Sequence, residues 1–198
     1  DGSLYCRSFP DRAARLTSPV QLTFASYNIH KAIGLDRRRD PDRIISVLRE
    51  IDADVVALQE ADRRFGTRAT ALPLASIDDH TPYKAVPLPG RPHSIGWHGN
   101  ALLVRRGIEV ADADIVPLPT LEPRGAIRAD LIVEGKRLRV VGMHLDLSGL
   151  RRRQQVRSIL HHLYACDGHC PTVLMGDLNE WTQHGGCLRE FHADWRVL

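Results

Sequence analysis

The apolar positions of the chain follow two periods, one typical of strands and one typical of helices. Residues 20–27 alternate apolar and polar side chains and are rich in β-branched and aromatic residues, which predicts a strand. Residues 54–59 and 172–175 are short and almost wholly apolar, as in strands that are buried on both faces. Further strands are predicted over residues 100–104 and, with the pattern of a sheet edge, over residues 108–116.

Two amphipathic helices and one hairpin are also predicted. In residues 41–51 and again in residues 149–166, apolar side chains recur three and four positions apart, which is the period of a helix face. The second of these helices begins with a run of arginines. Residues 126–133 and 137–145 alternate as strands and are separated by Glu134-Gly135, a pair typical of a tight hairpin turn.

The remaining segments are interpreted mainly as loops. Residues 1–19 show no clean period, so we expect a loose leader followed by a single domain over residues 20–198. Residues 61–97 contain several prolines and are expected to be mostly loop, with one short helix around residues 69–77.

Composition narrows the class of protein. The chain has 198 residues and 43% hydrophobic content, which suits one domain with a sizeable core. A net charge of +3 indicates neither intrinsic disorder nor a polybasic nucleic-acid coat. No apolar stretch approaches the roughly 18 residues of a membrane span, so we expect no transmembrane segment. Four unevenly spaced cysteines do not make a disulfide framework, so we expect a cytoplasmic protein with free thiols. We also expect a monomer.

Polar side chains recur where four predicted strands end, and this recurrence is the main functional signal. These side chains are Asn28, Glu60, His144, Asp177 and Asn179. In layered α/β folds, ligands collect at the carboxyl ends of strands because loops from distant parts of the chain converge there. Taken singly, each residue is better explained as a turn residue or a surface ion pair. Taken together, they favour a functional site.

The residue types suit a hard cation and a phosphate. Glu60 and Asp177 supply the one or two carboxylates that Mg2+ prefers, and a site made only of oxygens argues against zinc. The amides of Asn28 and Asn179 orient a phosphate oxygen or a water without adding negative charge. His144 is a candidate general acid or hydrogen-bond donor to a phosphate.

An ordered set of motifs resembles the endonuclease/exonuclease/phosphatase superfamily. The motifs are Tyr27-Asn28-Ile29-His30, Leu58-Gln59-Glu60, Gly99-Asn100-Ala101-Leu102-Leu103, Met143-His144-Leu145-Asp146 and Met175-Gly176-Asp177-Leu178-Asn179. The resemblance covers residues 22–180. It implies an α/β fold, a four-layer α/β sandwich in which two packed mixed β-sheets are flanked by helices. It also implies hydrolysis of a phosphodiester with Mg2+, or alternatively Mn2+, as cofactor.

The resemblance also implies roles for individual residues. Glu60 would hold the metal with help from Asn28. Asp177 and Asn179 would position and activate the attacking water, and His144 would contact the phosphate or protonate it. Arg124 and Asn100 resemble residues that bind the substrate phosphate.

One departure from the family pattern affects the expected activity. Members usually carry an Asp-His pair near the C-terminus, and neither His184 nor His192 has that context. We therefore expect that the last strands and the terminal histidine are missing and that this chain is less active than a longer form. The alternative is a non-catalytic domain that binds metal or phosphate.

The sequence leaves the substrate open between two kinds of phosphodiester. Nucleic acid is slightly favoured over a phospholipid head group. The arginine runs at residues 37–39 and 151–153 are modest support for a phosphate-rich ligand, although such runs are usually solvated surface.

Overall fold

The structure is a computed structural model that describes residues 3–7, 20–62, 70–89, 95–120, 124–166, 168–182, 186–191 and 195–197. These ranges contain ten strands, three α-helices and two short 3-10 helices. Within them, no helix is both long enough and apolar enough to cross a membrane.

Four strands form the smaller sheet. In chain order they are β2 (Phe24–Asn28), β3 (Val55–Gln59), β4 (Tyr83–Ala85) and β5 (Ala101–Arg105). Their order across the sheet is β2-β3-β5-β4, in which β2 and β3 are parallel and the other pairs are antiparallel. Helix α1 (Pro41–Ile51) connects β2 to β3, and α2 (Leu74–His80) precedes β4.

Six strands form the larger sheet. They are β1 (Ser3–Arg7), β6 (Glu109–Val116), β7 (Gly125–Val133), β8 (Lys136–His144), β9 (Thr172–Asp177) and β10 (Trp195–Val197). Their order is β10-β1-β9-β8-β7-β6, and only β8 and β9 are parallel among these pairs. Helix α3 (Gly149–Ala165) makes the crossover from β8 to β9.

The two sheets pack face to face and the helices cover their outer faces. Val55 and Ala57 of β3 belong to the same buried cluster as Val140 and Met175 of the larger sheet. The sheets approach closely at Gly142, where an added Cβ would lie 2.8 Å from a methyl carbon of Leu102.

The outer layers follow from the alternation of side chains in each strand. Val56 and Leu58 of β3 face away from the sheet interface and pack with Ile44 and Leu48 of α1. Val141 and Met143 of β8 pack in the same way with Val156 and Ile159 of α3. The protein is therefore a four-layer α/β sandwich with two mixed sheets, which confirms the expected fold class.

The hairpin turns where the sequence predicts it. Glu134 and Gly135 both have positive φ angles, 49° and 76°, as a two-residue turn between twisted strands requires. The edge strand β6 lies on the outside of the larger sheet, as its sequence pattern indicates.

Three local features differ from the expectations. The expected leader contains a strand, because Ser3–Arg7 forms β1 between β9 and β10. This corrects the interpretation of residues 1–19 for these five residues, and residues 8–19 lie outside the described ones. The short helix begins at Leu74, after Pro73, instead of near residue 69. Strand β4 lies in the segment that we expected to be loop.

Candidate active site

The carboxyl ends of four strands meet at one edge of the sandwich. Asn28 ends β2 and is paired with Gln59, so Glu60 follows directly at the end of β3. In the larger sheet, His144 ends β8 and is in register with Asp177, which ends β9. Since β2 and β3 pack against β9 across the sheet interface, these ends lie together. The four residues come from parts of the chain that are distant in sequence.

A direct hydrogen bond joins the two sheets at this edge. Asn28 Nδ2 donates to Asp177 Oδ2 at 3.2 Å. The backbone N–H of His30 donates to Asn28 Oδ1 at 3.1 Å, which fixes the orientation of the amide. His144 Nε2 lies 3.5 Å from the same Asp177 Oδ2. One carboxylate oxygen is therefore shared by an amide of one sheet and an imidazole of the other.

Asn179 fixes the turn that follows β9. Its φ angle is +51°, and its backbone N–H donates to Asp177 Oδ1 at 3.0 Å. Its Nδ2 donates to the backbone carbonyl of Leu145 at 2.8 Å, while the Leu145 N–H donates to the Asp177 carbonyl. The Asn179 side chain thus ties the loop after β9 to the loop after β8.

Arg124 contacts the ring of His144. Its Nη1 lies 2.9 Å from Nδ1 and also contacts Nε2. Burial and, next in size, the positive charge of Arg124 lower the pKa of His144 to about 4, against the opposing effects of Asp177 and Glu60. The imidazole is therefore neutral at pH 7 and acts as a hydrogen-bonding group.

Glu60 forms an ion pair that the sequence interpretation did not include. Lys31 Nζ contacts Glu60 Oε2, and the Lys31 backbone N–H donates to the Glu60 carbonyl at 3.0 Å. Burial raises the pKa of Glu60, but the hydrogen bond and charge of Lys31 outweigh it, so the pKa lies below its usual value. The carboxylate is ionised at neutral pH. His30, Lys31 and Ala32 all have positive φ angles, and this left-handed turn returns Lys31 to Glu60.

Asn100 lies beside the site, next to Gly125. A Cβ added at Gly125 would lie 3.5 Å from Asn100 Nδ2, and Gly125 is paired with His144. Asn100 is buried, its Nδ2 donates to the Trp97 carbonyl at 3.3 Å, and its Oδ1 has no hydrogen-bond partner among the described residues. Its Oδ1 is therefore an unused acceptor, and its Nδ2 carries a second N–H beside the one donated to Trp97.

Two further residues support the loops of the site. Arg152, the buried arginine at the start of α3, donates from Nη1 to the Leu147 carbonyl at 2.6 Å and lies 3.3 Å from Glu180 through Nη2. Glu180 accepts from the backbone N–H groups of Trp181 and Cys187, both at 3.1 Å. Burial raises the pKa of Glu180, but the hydrogen bonds from Cys187 and Thr182 and the charge of Arg152 lower it to about 2.

Sequence reasoning missed Lys31 and Glu180, and it considered Arg152 only as part of the arginine run 151–153. The signal for Glu180 was its position directly after the Gly-Asp-Leu-Asn motif, and the signal for Lys31 was its position within three residues of Asn28. His184 and His192 lie outside the described residues.

The donor set suits Mg2+ better than a metal that needs several protein ligands. Within the described ranges, no three or more His, Cys, Asp or Glu side chains are grouped so as to hold a metal ion. Mg2+ is commonly held by only one or two carboxylates and keeps waters and substrate oxygens in its shell. The ionised Glu60, with the amide of Asn28, fits that requirement. A metal at Glu60 would compete with Lys31 for Oε2.

Comparisons with known proteins agree with this architecture. A sequence model described as the Endonuclease/Exonuclease/phosphatase family matches residues 25–194. Comparison with curated proteins gave no match.

Several solved structures have a similar fold. D. rerio TDP2 complexed with a single-strand DNA product is 19% identical, with a TM-score of 0.60 over 81% of this chain and 62% of that one. The human Nocturnin catalytic domain with bound sulfate is 20% identical, with a TM-score of 0.57 over 78% and 63%. Bacteroides thetaiotaomicron mannosyl-6-phosphatase Bt3783 is 17% identical, with a TM-score of 0.62 over 84% and 68%. The chain spans less than two thirds of the D. rerio TDP2 and Nocturnin chains.

Proposed function

Because the chain belongs to the endonuclease/exonuclease/phosphatase family, we propose that it is a Mg2+-dependent or Mn2+-dependent hydrolase of phosphodiester bonds. Members of this family are hydrolases that act on phosphoester bonds. The observation that carries the proposal is the contact between the two sheets at Asp177. Asn28 Nδ2 of the smaller sheet and His144 Nε2 of the larger sheet lie 3.2 Å and 3.5 Å from the same oxygen, Asp177 Oδ2.

The proposed roles follow from the contacts of each side chain. Glu60 would hold the metal with Asn28, and the metal would supply positive charge to the phosphoryl oxygens. Asp177 orients the attacking water and accepts its proton, because its Oδ2 is directed by Asn28 while its Oδ1 is held by Asn179. Asn179 assists by fixing the turn and by presenting its amide oxygen to the attacking water.

Arg124 and His144 are proposed to bind the phosphate. A guanidinium donates to phosphate oxygens in a fixed geometry, and a neutral imidazole donates one N–H. Because the charge on the phosphoryl oxygens grows during the attack, such fixed donors stabilise the transition state. Asn100 is proposed to bind the substrate phosphate together with Arg124, from its position next to Gly125, which is paired with His144.

The substrate is proposed to be a phosphodiester of a nucleic acid or of a phospholipid head group. The fold likeness to a TDP2 complex with a DNA product supports the first class. The fold likeness to a mannosyl-6-phosphatase means that a phosphomonoester substrate must be tested as the alternative.

A non-catalytic domain that binds metal or phosphate is the second candidate. The ion pair between Lys31 and Glu60 favours it, because a carboxylate that is already neutralised by a lysine binds a metal less readily. Binding of Mn2+ without turnover of any phosphoester would select this candidate.

Hydrolysis of bis-p-nitrophenyl phosphate with Mg2+ or Mn2+ tests the proposal. We expect metal-dependent turnover in the wild type and a loss of about 100-fold or more in Glu60→Gln, because the metal loses its carboxylate. Glu109→Gln is the matched control, since Glu109 is an exposed carboxylate on the edge strand β6. Equal turnover in Glu60→Gln and Glu109→Gln would contradict the proposal, as would preference for p-nitrophenyl phosphate over the diester.

We also propose a cytoplasmic monomer. Cys166, Cys170 and Cys187 are free thiols, as is usual in reducing compartments. Elution of the purified chain at the 22.2 kDa of one copy is the expected result, and elution as a dimer would contradict it.

A further inference from the structure

Exposed apolar side chains are concentrated around the candidate active site. Among the residues that the structure describes, six large hydrophobic side chains are exposed, and two of them, Leu74 and Tyr164, lie at the start of α2 and near the C-terminal end of α3. The other four lie on the segments that follow β2, β8 and β9. We call these four the apolar rim: Leu35, Leu147, Leu150 and Trp181.

The first rim residue is held outward by an ordered loop. Ile33 and Arg39 form a β-bridge, and within it the Gly34 N–H donates to the Arg38 carbonyl at 3.1 Å. An ion pair of 2.8 Å between Asp36 and Arg43 of α1 anchors the loop to the helix. Leu35, at the tip of this loop, is fully exposed at 107%. Its exposure therefore follows from a defined backbone conformation.

The loop after β8 is held in the same way. The Asp146 N–H donates to Gln155 Oε1 at 2.9 Å, and Arg152 Nη1 donates to the Leu147 carbonyl. Leu147 directly precedes Ser148, the N-cap residue of α3, and Leu150 lies in the first turn of the helix. They are 64% and 69% exposed.

The loop after β9 contributes the aromatic member of the rim. The Trp181 backbone N–H donates to Glu180 Oε1 at 3.1 Å, and Glu180 is itself held by Arg152. The indole is 90% exposed. All three loops thus carry exposed apolar side chains on hydrogen-bonded segments that follow the strands ending in Asn28, His144 and Asp177.

Positive charge lies next to the rim. Arg37, Arg38 and Arg39 are exposed on the Leu35 loop, and none of their side chains forms an ion pair with any described residue. A patch that combines exposed apolar side chains with unneutralised arginines is typical of surfaces that contact anionic membranes.

We propose that the apolar rim and residues 37–39 dock this protein on the surface of an anionic phospholipid bilayer. The inference rests on the proposed function and narrows its substrate class to a phosphodiester in a phospholipid head group. Docking through the rim would place the strand ends against the head groups.

The composition of the rim favours a bilayer over a nucleic acid. Three of its four members are leucines, which insert into the boundary between head groups and acyl chains. Proteins that bind single strands instead stack bases on aromatic rings, and Trp181 is the one aromatic member of the rim. Tryptophan is also enriched at membrane interfaces. The arginines complement anionic head groups, each contributing about a fivefold gain in binding near the surface.

Sedimentation with vesicles tests the inference on the full chain. The probes are vesicles of phosphatidylcholine with about 30% phosphatidylglycerol, and vesicles of phosphatidylcholine alone. We expect the wild type to prefer the anionic vesicles and added salt to weaken the binding. Leu35→Ser/Leu147→Ser/Leu150→Ser should lose at least about tenfold in binding, because apolar area no longer leaves water. Leu74→Ser is the matched control and should bind as the wild type does.

Two further readouts keep the inference falsifiable. Trp181 fluorescence should shift to the blue on anionic vesicles, and Trp181→Phe should remove the shift. Arg37→Glu/Arg39→Glu should weaken binding without touching an apolar residue. Wild-type affinity in the triple leucine variant would overturn the inference. So would binding of a single-stranded oligonucleotide through the same residues with no binding to vesicles.

Failure of the docking and failure of the proposed function give different results. Vesicle binding requires no turnover, whereas hydrolysis of soluble bis-p-nitrophenyl phosphate requires no vesicle. Turnover without vesicle binding would overturn the docking alone, and vesicle binding without turnover would overturn the proposed hydrolase alone.

Discussion

Two regions of the larger sheet bury titratable groups, and they do so in opposite ways. In the middle of the sheet, Arg139 donates to both oxygens of Asp130 at 2.7 Å and 2.9 Å, and Arg128 lies 3.1 Å from the same carboxylate. At the edge where the strands end, Arg124 faces the imidazole of His144. We call the first region the ion-pair cluster. In this cluster each buried charge faces an opposite charge. At the strand ends, a positively charged guanidinium faces a neutral imidazole.

The pKa directions show the same contrast. In the ion-pair cluster, burial raises the pKa of Asp130, but Arg139 and Arg128 outweigh it, so the carboxylate stays ionised. At the strand ends, burial and Arg124 hold the pKa of His144 far below its usual value. Buried charges that face opposite charges belong to the packing of the fold. A buried group whose pKa is strongly shifted beside a charged neighbour is typical of a functional site.

The largest stability effect is expected in the ion-pair cluster. Asp130→Ala should lower the free energy of unfolding by about 3–5 kcal/mol, because it leaves Arg128 and Arg139 buried without their shared carboxylate. Denaturant unfolding measures this loss. The matched control is Glu109→Ala on the exposed edge strand, with an expected change within about 0.5 kcal/mol. Equal stability of the two variants would remove the contrast.

The converse experiment changes the strand ends. His144→Ala should lower kcat/KM on the diester substrate by about 100-fold to 1000-fold, because a phosphate donor is lost. The free energy of unfolding should change less than in Asp130→Ala, since the neutral ring leaves no buried charge behind. A variant that unfolds but shows normal turnover per folded molecule would assign His144 to the fold instead.

A smaller effect is expected at Glu180, which supports the site without being placed in its chemistry. Glu180→Gln should lower the free energy of unfolding by about 1–3 kcal/mol at neutral pH, because the hydrogen bonds to a charged acceptor weaken. Thermal or denaturant unfolding measures the loss, and Glu109→Gln is the control. No loss relative to that control would show that Glu180 does not hold these loops.

The pH dependence of the same residue sharpens this prediction. The pKa of Glu180 is lowered from 4.5 to about 2, so its ionised form is preferred in the folded state. Its contribution is fully present above pH 4.5 and is lost as the pH falls toward 2. Stability measured across this range should fall more steeply in the wild type than in Glu180→Gln. Identical slopes would contradict the assignment.

The smallest expected effect concerns Lys31. Lys31→Met removes the cation that competes with a metal at Glu60, so we expect Mn2+ to bind up to about tenfold more tightly, or about 1.4 kcal/mol. Calorimetric titration measures the change, and Lys84→Met on β4 is the control. Weaker Mn2+ binding in Lys31→Met would contradict competition and indicate that Lys31 instead orients the carboxylate.

Much of the fold could be predicted because its signals are local. The period of α1 and the apolar run of β3 identify these elements within a few residues, and the strand ends then place Asn28, Glu60 and Asp177 at one edge. The ordered motifs contributed what no single period shows, namely that strands from two sheets meet there.

The features that were missed depend on contacts between distant parts of the chain. Lys31 reaches Glu60 through three residues with left-handed backbone, and no period in the sequence indicates such a turn. Arg152 and Glu180 are 28 positions apart. Strand β1 is defined by backbone pairing with β9 and β10, so the prediction of a leader had no local signal to correct it.

The most direct test of the central claim is turnover of bis-p-nitrophenyl phosphate by Asp177→Asn, measured with Mg2+ and with Mn2+ beside the wild type. Asp177 receives contacts from Asn28, His144 and Asn179, so the proposed chemistry depends most on this carboxylate. We expect kcat to fall by about 100-fold to 10000-fold, because a neutral amide does not accept the proton of the attacking water. Unchanged turnover in a folded Asp177→Asn protein would contradict the account.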